Sequence, residues 1–471
     1  MKKRLVALFL AVIFCLSLIT GCGGGDTPGA DAPASDAPTA PEASSEQDPA
    51  TLTEKDYWRQ CEGEEIIFAT YVGGEADYVD SLLSEFYDLT GINVTIEQYP
   101  EDQLYQKVQI DTVSGTGSID CFTMDMMRMP EFASSGYLTK VQGYIDNPQF
   151  TDKEWYQPDD ILAGPLSTAK YNGELYGIPY TGETNILMYR KDLLEAAGCQ
   201  VPTNFDELWD VASKIHSKET AGIALRGQRG SGMNIYTWTQ FFRGFGGEFF
   251  VDFPNDMTPT VNTPEAIEAT KYYAEILQNY GPQGVANWTN MEVYTGQASG
   301  KVAMTMDANA FAAIIEDENT SKTRGLWGCA MVPGGKGGSW PAIYSHTMCI
   351  NEFSQSKDAA WLFVQWVTSP EMTLKRGLKT GVPARASSWE APEMKEQLSY
   401  ICDGTYTDVC LESLQKADAS YRPIFPNWNE MGDILGIAVQ DVIAGGSTAE
   451  EALNKAQADI ETMLKQKGYL S

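Results

Sequence analysis

Between residues 65 and 124 the apolar positions switch back and forth between strand and helix spacing. Glu65–Thr70 is a short apolar run, followed by the turn-rich Tyr71-Val72-Gly73-Gly74-Glu75. Val79, Leu82, Leu83, Phe86 and Leu89 then fall on one helical face, and Gly91 marks the stop. Ile92, Val94 and Ile96 alternate as a second strand, a helix is expected from about Gln103 to Val113, and Asp120–Met124 reads as a third strand. Strand, helix, strand, helix, strand predicts a doubly wound parallel sheet. Ligands of such sheets sit in the crevice beyond the carboxyl ends of the strands. Those ends carry Tyr71–Glu75, Tyr99–Gln103 and Asp125–Arg128.

Further along, Asn172-Gly173 between aromatic residues predicts a hairpin turn with positive φ. A strand follows over Thr184–Tyr189, then a short helix over Asp192–Ala197 closed by Gly198. Glu183 lies just before that strand, among Tyr180, Thr181 and Gly182. Thr203–Asp206 opens a helix with Leu208, Val211, Ala212 and Ile215 on its buried face, and Ile223–Leu225 reads as a strand ending at Arg226. Asn234–Phe245 reads as an aromatic-rich helix, and Thr263-Pro264-Glu265 as a helix start. Gly300–Met306 is an expected strand closing on Asp307, Tyr344–Ile350 another, and Lys357–Val367 a helix. The last helix is expected to begin with a capping box over Ser447–Glu450 and to end near Lys465. No segment repeats. Strand–helix units resume after Asp307, which predicts two α/β lobes with more than one crossing between them.

The N-terminus changes the picture of where this chain works. Lys2, Lys3 and Arg4 precede an apolar run from Leu5 to Leu18, too short to span a bilayer comfortably. Ile19-Thr20-Gly21-Cys22 matches a lipobox, so residues 1–21 are expected to be a leader and Cys22 the lipidated first residue of the mature chain. From Gly23 to about Ala50 there is no aromatic residue and no aliphatic side chain larger than alanine. Such a segment buries too little to offset its ordering entropy, so residues 22–63 are expected to form a tether. No second hydrophobic segment reaches membrane length.

The chain of 471 residues carries a formal charge of −31, which argues against nucleic acid or an anionic membrane surface as partner. Its eleven Trp and twenty-three Tyr supply cores with aromatic faces to spare. Seven scattered cysteines remain beyond Cys22, no disulfide framework for a chain of this size, although Cys402 and Cys410 are close enough in sequence to pair. His216 and His346 are the only histidines, and neither lies in a metal-binding pattern; His216 is expected on a helix surface. Gly334–Gly338 lacks the lysine–serine/threonine ending of a phosphate loop and is expected to be a flexible surface loop. No nucleophile elbow occurs. No cofactor and no catalytic residue are expected.

What accumulates is the chemistry of polyhydroxyl recognition. Carboxylates accept from hydroxyl pairs, guanidinium groups donate in a fixed fork, and aromatic faces cover C–H surface. Glu75, Asp125, Glu183, Arg226, Tyr236, Asp307, Tyr344, His346 and Arg385 all fall at expected strand ends or in adjoining loops. Tyr71, Tyr180 and Asn234 flank them and complete the candidate set. Glu183 with Asp307 would also suit a glycoside hydrolase, and nothing in the sequence prefers that reading.

The segments L-R-G-Q-R-G-S-G-M-N, Y-G-P-Q-G-V-A-N-W, G-K-V-A-M-T-M-D-A and G-V-P-A-R-A-S-S-W-E-A-P-E sharpen the reading. In order along nearly the whole chain, they resemble solute-binding proteins of bacterial ABC importers, in particular the sorbitol/mannitol branch of the carbohydrate-binding family. That resemblance implies a periplasmic-binding-protein-like, type II fold: two doubly wound α/β lobes, a multi-strand hinge, and a ligand cleft between the lobes. It implies a lobe of residues 64–177 plus 345–385 and a second of 178–344 plus 386–471. Maltodextrin-binding relatives place a ligand carboxylate at the position of Glu183 and a stacking tyrosine near Tyr236. Where they carry a stacking tryptophan this chain has Ala310, so one aromatic platform is expected to be missing and the ligand to be a polyol or monosaccharide. The polyol branch tends to carry tryptophans near Tyr344 and His346 and a glutamate near Arg128. The implied protein is a monomeric, lipid-anchored extracytoplasmic receptor that delivers its ligand to a permease. An oligosaccharide binder, an exported hydrolase and a structural lipoprotein stay open beside it.

Overall fold

The computed structural model describes residues 57–470, so the leader, Cys22 and most of the tether lie outside the described residues. The first strand–helix units form as the apolar spacing predicts. β1 (Glu65–Tyr71) pairs in parallel with β2 (Asn93–Tyr99) over its full length, and with β3 (Cys121–Asp125) on its other side. A hairpin of β4 (Lys170–Tyr171) and β5 (Glu174–Leu175) turns on Asn172 and Gly173, both at positive φ. β6 (Ile178–Pro179) and β7 (Asn185–Arg190) follow, and a small ribbon of β8 (Phe250–Asp252) and β9 (Asp256–Pro259) sits beyond them. β10 (Met304–Ala308), β11 (Trp327–Ala330) and β12 (His346–Ile350) complete the strands among the described residues.

Two sheets organise the molecule. The first has the order β2-β1-β3-β12-β6, with β12 antiparallel to both neighbours, so His346 stands opposite Asp125 at the sheet's end. Side chains on a strand alternate between faces. Phe68, Cys121 and Met348 accordingly enter one core layer with Phe86, Trp361 and Phe363, while Ala69, Phe122 and Cys349 enter another with Leu104 and Val108. The second sheet, β10-β7-β11, is antiparallel and belongs to the largest core, which also takes in Trp238, Trp389 and Trp428.

Three segments connect the sheets. Glu183 and Tyr344 form an antiparallel bridge, Glu183 N–H donating to Tyr344 O at 2.8 Å and Tyr344 N–H to Glu183 O at 3.0 Å. The third segment lies alongside, with Gly182 N–H donating to Val382 O at 2.9 Å. Because Ile178 and Pro179 pair with β12 in the first sheet, the first crossing begins after Pro179 rather than at Ile178.

Several boundaries differ from the sequence reading. The helix expected to run through Val79–Leu89 breaks into Gly74–Ser81 and Leu83–Thr90 at Leu82, whose N–H turns back to Val79 O. Gly91, at φ 72°, caps the second piece. Ile223–Leu225 forms no strand; a single backbone bond from Ala224 N–H to Met304 O ties it beside β10. The strand expected over Gly300–Met306 starts only at Met304, because Gly300 at φ 81° is still closing the turn after helix Asn290–Ala298. It runs on to Ala308, so Asp307 is inside β10. The last helix, Ala449–Gln466, takes its capping box one residue later than expected, between Thr448 and Glu451. His216 is the exposed C-cap residue of helix Phe205–Ile215. Cys402 and Cys410 are both free thiols, Cys410 Sγ lying 3.4 Å from Asn309 Nδ2. No helix among the described residues is long and apolar enough to cross a membrane.

Gly334–Gly338 is no flexible loop. Gly335 and Gly338 bridge to each other, and Gly337 N–H donates at 2.7 Å to the carbonyl of Gly244, the last residue of helix Asn234–Gly244. The glycines thus satisfy an orphan carbonyl at a helix end. A Cβ at Gly337 would collide with the Arg243 carbonyl oxygen. Gly337→Ala should cost roughly 1–3 kcal/mol of stability, visible as a lowered thermal melt; an unchanged melt would show that the loop yields freely.

Candidate functional site

The strand ends and the crossings converge on a cavity of about 360 Å³. The first sheet contributes Asp125 at the end of β3, Met127 just beyond it and Glu101 at the start of the helix after β2, and the paired crossing contributes Glu183 and Tyr344. From the other side come Arg226, Tyr236 and Phe311, and the C-terminal stretch adds Arg422 and Asn429.

Arg226 is fixed by a buried carboxylate. Its Nε donates to both oxygens of Asp307 at 3.1 and 3.0 Å and its Nη2 to Oδ1 at 2.5 Å, while Nη1 donates to Gly232 O at 2.7 Å. Tyr294 donates its hydroxyl to Asp307 Oδ1 at 3.0 Å. Asp307 is thus fully engaged and faces no cavity; its task is to hold Arg226. A carboxylate so engaged is unavailable as the second member of a glycosidase pair.

The Tyr236 ring lies between two guanidinium groups, 4.6 Å from Arg226 and 5.3 Å from Arg422. Arg422 is 1% exposed and donates from Nη1 to Ser231 O at 3.1 Å, but its Nε and Nη2 have no partner among the described residues, and neither does the Tyr236 hydroxyl. The Glu183 carboxyl likewise accepts no hydrogen bond from any described residue. Burial pushes its pKa up to about 7 against the pull of Arg226, with Glu75, Glu101 and Asp307 adding to the rise. Asp125 is also raised, chiefly by burial, although its Oδ1 accepts from Met127 N–H at 2.7 Å and Arg422 and Arg128 oppose the shift. Tyr344 reaches His346 Nε2 at 3.3 Å, and burial lowers that imidazole to about 3, so it is neutral.

A second group of candidates lies behind Glu183. Arg376 Nη1 donates to Glu75 Oε1 at 2.6 Å and to Tyr180 O at 2.9 Å, its guanidinium 3.8 Å over the Tyr180 ring. Tyr71 packs 4.3 Å from His346, and the buried hydroxyls of Tyr71 and Tyr180 have no partner among the described residues. These residues back the cavity without lining it.

Two candidates are elsewhere. Asn234 is wholly buried and donates to Gly436 O at 2.8 Å, tying its helix to Trp428–Ile443. Arg385 donates to Thr368 O at 2.8 Å and Gln157 O at 2.7 Å, with Asp160 beside it. The structure therefore gathers Asp125, Glu183, Arg226, Tyr236 and Tyr344 around one cavity and gives Asn234, Asp307 and Arg385 structural work.

The sequence reading missed Phe311, Arg422 and Asn429. Phe311, one residue past Ala310, stacks on Tyr294 at 3.8 Å with 15° between the rings and lines the cavity. Among the described residues no cluster of ligating side chains suits a metal ion. The cavity offers donors, acceptors and aromatic faces, and no nucleophile paired with a base.

Two sheets joined by three connecting segments, with a polar cavity at the strand ends, define a type II periplasmic binding protein. Solved structures bear this out. A solute-binding protein of Agrobacterium radiobacter K84 in complex with ribitol superposes with a TM-score of 0.73 at 26% identity, covering 85% of this chain and 99% of that one. A second, from Agrobacterium vitis S4 with bound D-mannitol, gives 0.70 at 25%, covering 86% and 99%. Maltose-bound MalE3 of T. maritima shares the fold, with a TM-score of 0.71 at 22% identity, covering 85% of this chain and 100% of that one.

Residues 73–373 match the bacterial extracellular solute-binding protein family, and the chain belongs to it. Its relatives include the mannitol-binding protein of Pseudomonas aeruginosa, 26% identical over 78% of this chain and 86% of that one. The erythritol/L-threitol-binding protein of Mycolicibacterium smegmatis is 27% identical over 97% and 95%.

Glu183 generates a pH dependence. An exposed glutamate titrates near 4.3, so between that value and about 7 the folded chain holds a proton that the unfolded chain has lost. Stability therefore falls as pH rises through this window and is lowest above it. Glu183→Gln should stabilise the ligand-free protein by about 1–3 kcal/mol at pH 8 and by little at pH 4. Thermal melts at the two pH values check this, and an equal gain at both would remove the carboxyl from the explanation.

Proposed function

We propose that this chain captures a sugar alcohol or monosaccharide outside the cytoplasm and hands it to the permease of an ABC importer. The observation that carries the reading is the set of unpartnered polar groups around one cavity: Arg422 Nε and Nη2, the Tyr236 hydroxyl and the Glu183 carboxyl. A polyhydroxyl ligand donates to the carboxyl, accepts from the guanidinium, and presents C–H surface to Phe311. The polyol-binding names of the relatives support the same class.

In this reading residues 64–179 with 345–385 form one lobe and residues 180–344 with 386–470 the other, closing about the three crossings as ligand binds. Cys22 carries the lipid that keeps the receptor at the membrane. Cys22→Ser should release an otherwise foldable chain from the membrane fraction; a variant that stays bound would refute the anchor.

A specific observation favours a longer ligand as second reading. A further cavity of about 430 Å³ shares Glu101, Asp125, Ser231 and Asn429 with the first and runs on to Asp433, room for another sugar unit. Ligand that binds only the folded state raises the apparent melting temperature. Ribitol, D-mannitol and erythritol should do so, with maltose as the arm for the longer ligand. Phe311→Ala should weaken the best of them roughly tenfold, about 1.4 kcal/mol, by calorimetric titration. No shift with any of the four would sink the polyhydroxyl reading.

A further inference from the structure

A guanidinium taken out of water needs a counter-charge, because an unpaired ion in a low-dielectric interior costs far more than an unpaired dipole. Among the described residues six arginines are buried, and five of them meet a carboxylate: Arg190 meets Asp192, Arg226 Asp307, Arg243 Glu248, Arg376 Glu75 and Arg385 Asp160. The sixth is Arg422. It is 1% exposed, yet it forms no ion pair with any described residue, and its one hydrogen bond runs to a backbone carbonyl.

In other respects Arg422 is set up like Arg226. Both stack over the Tyr236 ring, and their Nη1 groups donate to the consecutive carbonyls of Ser231 and Gly232, at 3.1 and 2.7 Å. Arg226 then turns its Nε–Nη2 edge to Asp307, two N–H groups against one carboxylate. The same edge of Arg422 is buried and unpartnered, in a side chain that lines the cavity. A rigid planar fork of this kind matches the two oxygens of a carboxylate.

We propose that the ligand supplies the missing counter-ion: Arg422 receives on its Nε–Nη2 edge the carboxylate of a polyhydroxy acid, an aldonate or a uronate. The inference rests on the polyhydroxyl reading above and narrows it. The other charges of the cavity set the ligand's direction. Asp125 and Glu183 reach it from the first sheet and the paired crossing, Arg422 from the C-terminal stretch. A sugar acid carries its charge at one end and hydroxyl donors along the rest, so its hydroxyls turn to the two carboxyls and its anion to the guanidinium. Arg128 opposes the charge of Glu101, the remaining carboxyl of the cavity. Burial, by pushing Glu183 up to about 7, lessens the negative charge that the anion meets near neutral pH.

Calorimetric titration of the full chain at neutral pH compares each acid with the alcohol that differs from it at one terminal carbon. The pairs are D-gluconate with D-sorbitol, D-mannonate with D-mannitol, and D-ribonate with ribitol. In the pair whose hydroxyl configuration fits, the acid should bind roughly tenfold more tightly or better. Arg422→Gln should erase that preference, and Arg422→Lys, which keeps the charge without the fork, should retain only part of it. A preference that survives Arg422→Gln would place the carboxylate elsewhere and overturn the proposal. Alcohols that bind the unaltered chain as tightly as their acids would overturn it too, with no variant needed, and would leave the polyhydroxyl reading standing. Binding of neither member of any pair would sink both.

Discussion

Two backbone hydrogen bonds between Glu183 and Tyr344 fix the relation of everything else. They make these residues a mutually bonded antiparallel pair, and such partners project their side chains to the same side. A carboxyl and a phenol from segments far apart in sequence thus meet at one wall of the cavity. The same two segments run directly into β7 and β12, one in each sheet. The register that aims Glu183 and Tyr344 therefore also sets His346 against Asp125 and Ala308 against Asn185. A slip of one residue would turn both side chains away and misalign both sheets.

Buried charge is paired on both sides of that wall. On one side Arg226 and Asp307 satisfy each other with the help of Tyr294. Behind the wall Arg376 Nη1 pairs with Glu75 beside Tyr180, while its Nη2 has no partner among the described residues. Burying such pairs gains little net stability, because desolvation offsets the attraction. Their effect is positional: each guanidinium is held by its partner and so holds an aromatic ring in turn. Neutral His346 adds no charge to the balance.

How much of this was legible in the sequence follows from what each feature depends on. β1, β3, β12 and helix Lys357–Val367 were readable because local periodicity and core burial agree there. Asp125, Glu183, Arg226, Tyr236 and Tyr344 were readable because strand ends and crossings are where such a fold places its ligand. Asp307 looked equivalent to them, yet β10 runs on to Ala308 rather than ending at Met306, which puts the aspartate inside the strand and under Arg226. Arg385 and Asn234 carry the right chemistry at the right kind of boundary, but their partners, Asp160 and Gly436, are distant in sequence. Arg422 and Asn429 were invisible for the converse reason: no local pattern marks a C-terminal stretch as returning to the cavity. Phe311 needed only a shift of one residue from Ala310.

The unpartnered groups explain why this cavity suits capture better than catalysis. A buried donor or acceptor without a partner costs roughly 1–3 kcal/mol. Arg422 and Tyr236 together hold the ligand-free chain in a state that hydrogen bonds from a ligand relieve. Most of the ordering has already been done, since Arg422 is anchored at Ser231 and stacked on Tyr236, while Phe311 is stacked on Tyr294. Affinity then comes from completing a rigid polar set rather than from ordering a loose one. Catalysis would need a group whose proton or electron pair is free to move at a reacting atom. Asp307 is locked and His346 is neutral. What the geometry leaves is recognition.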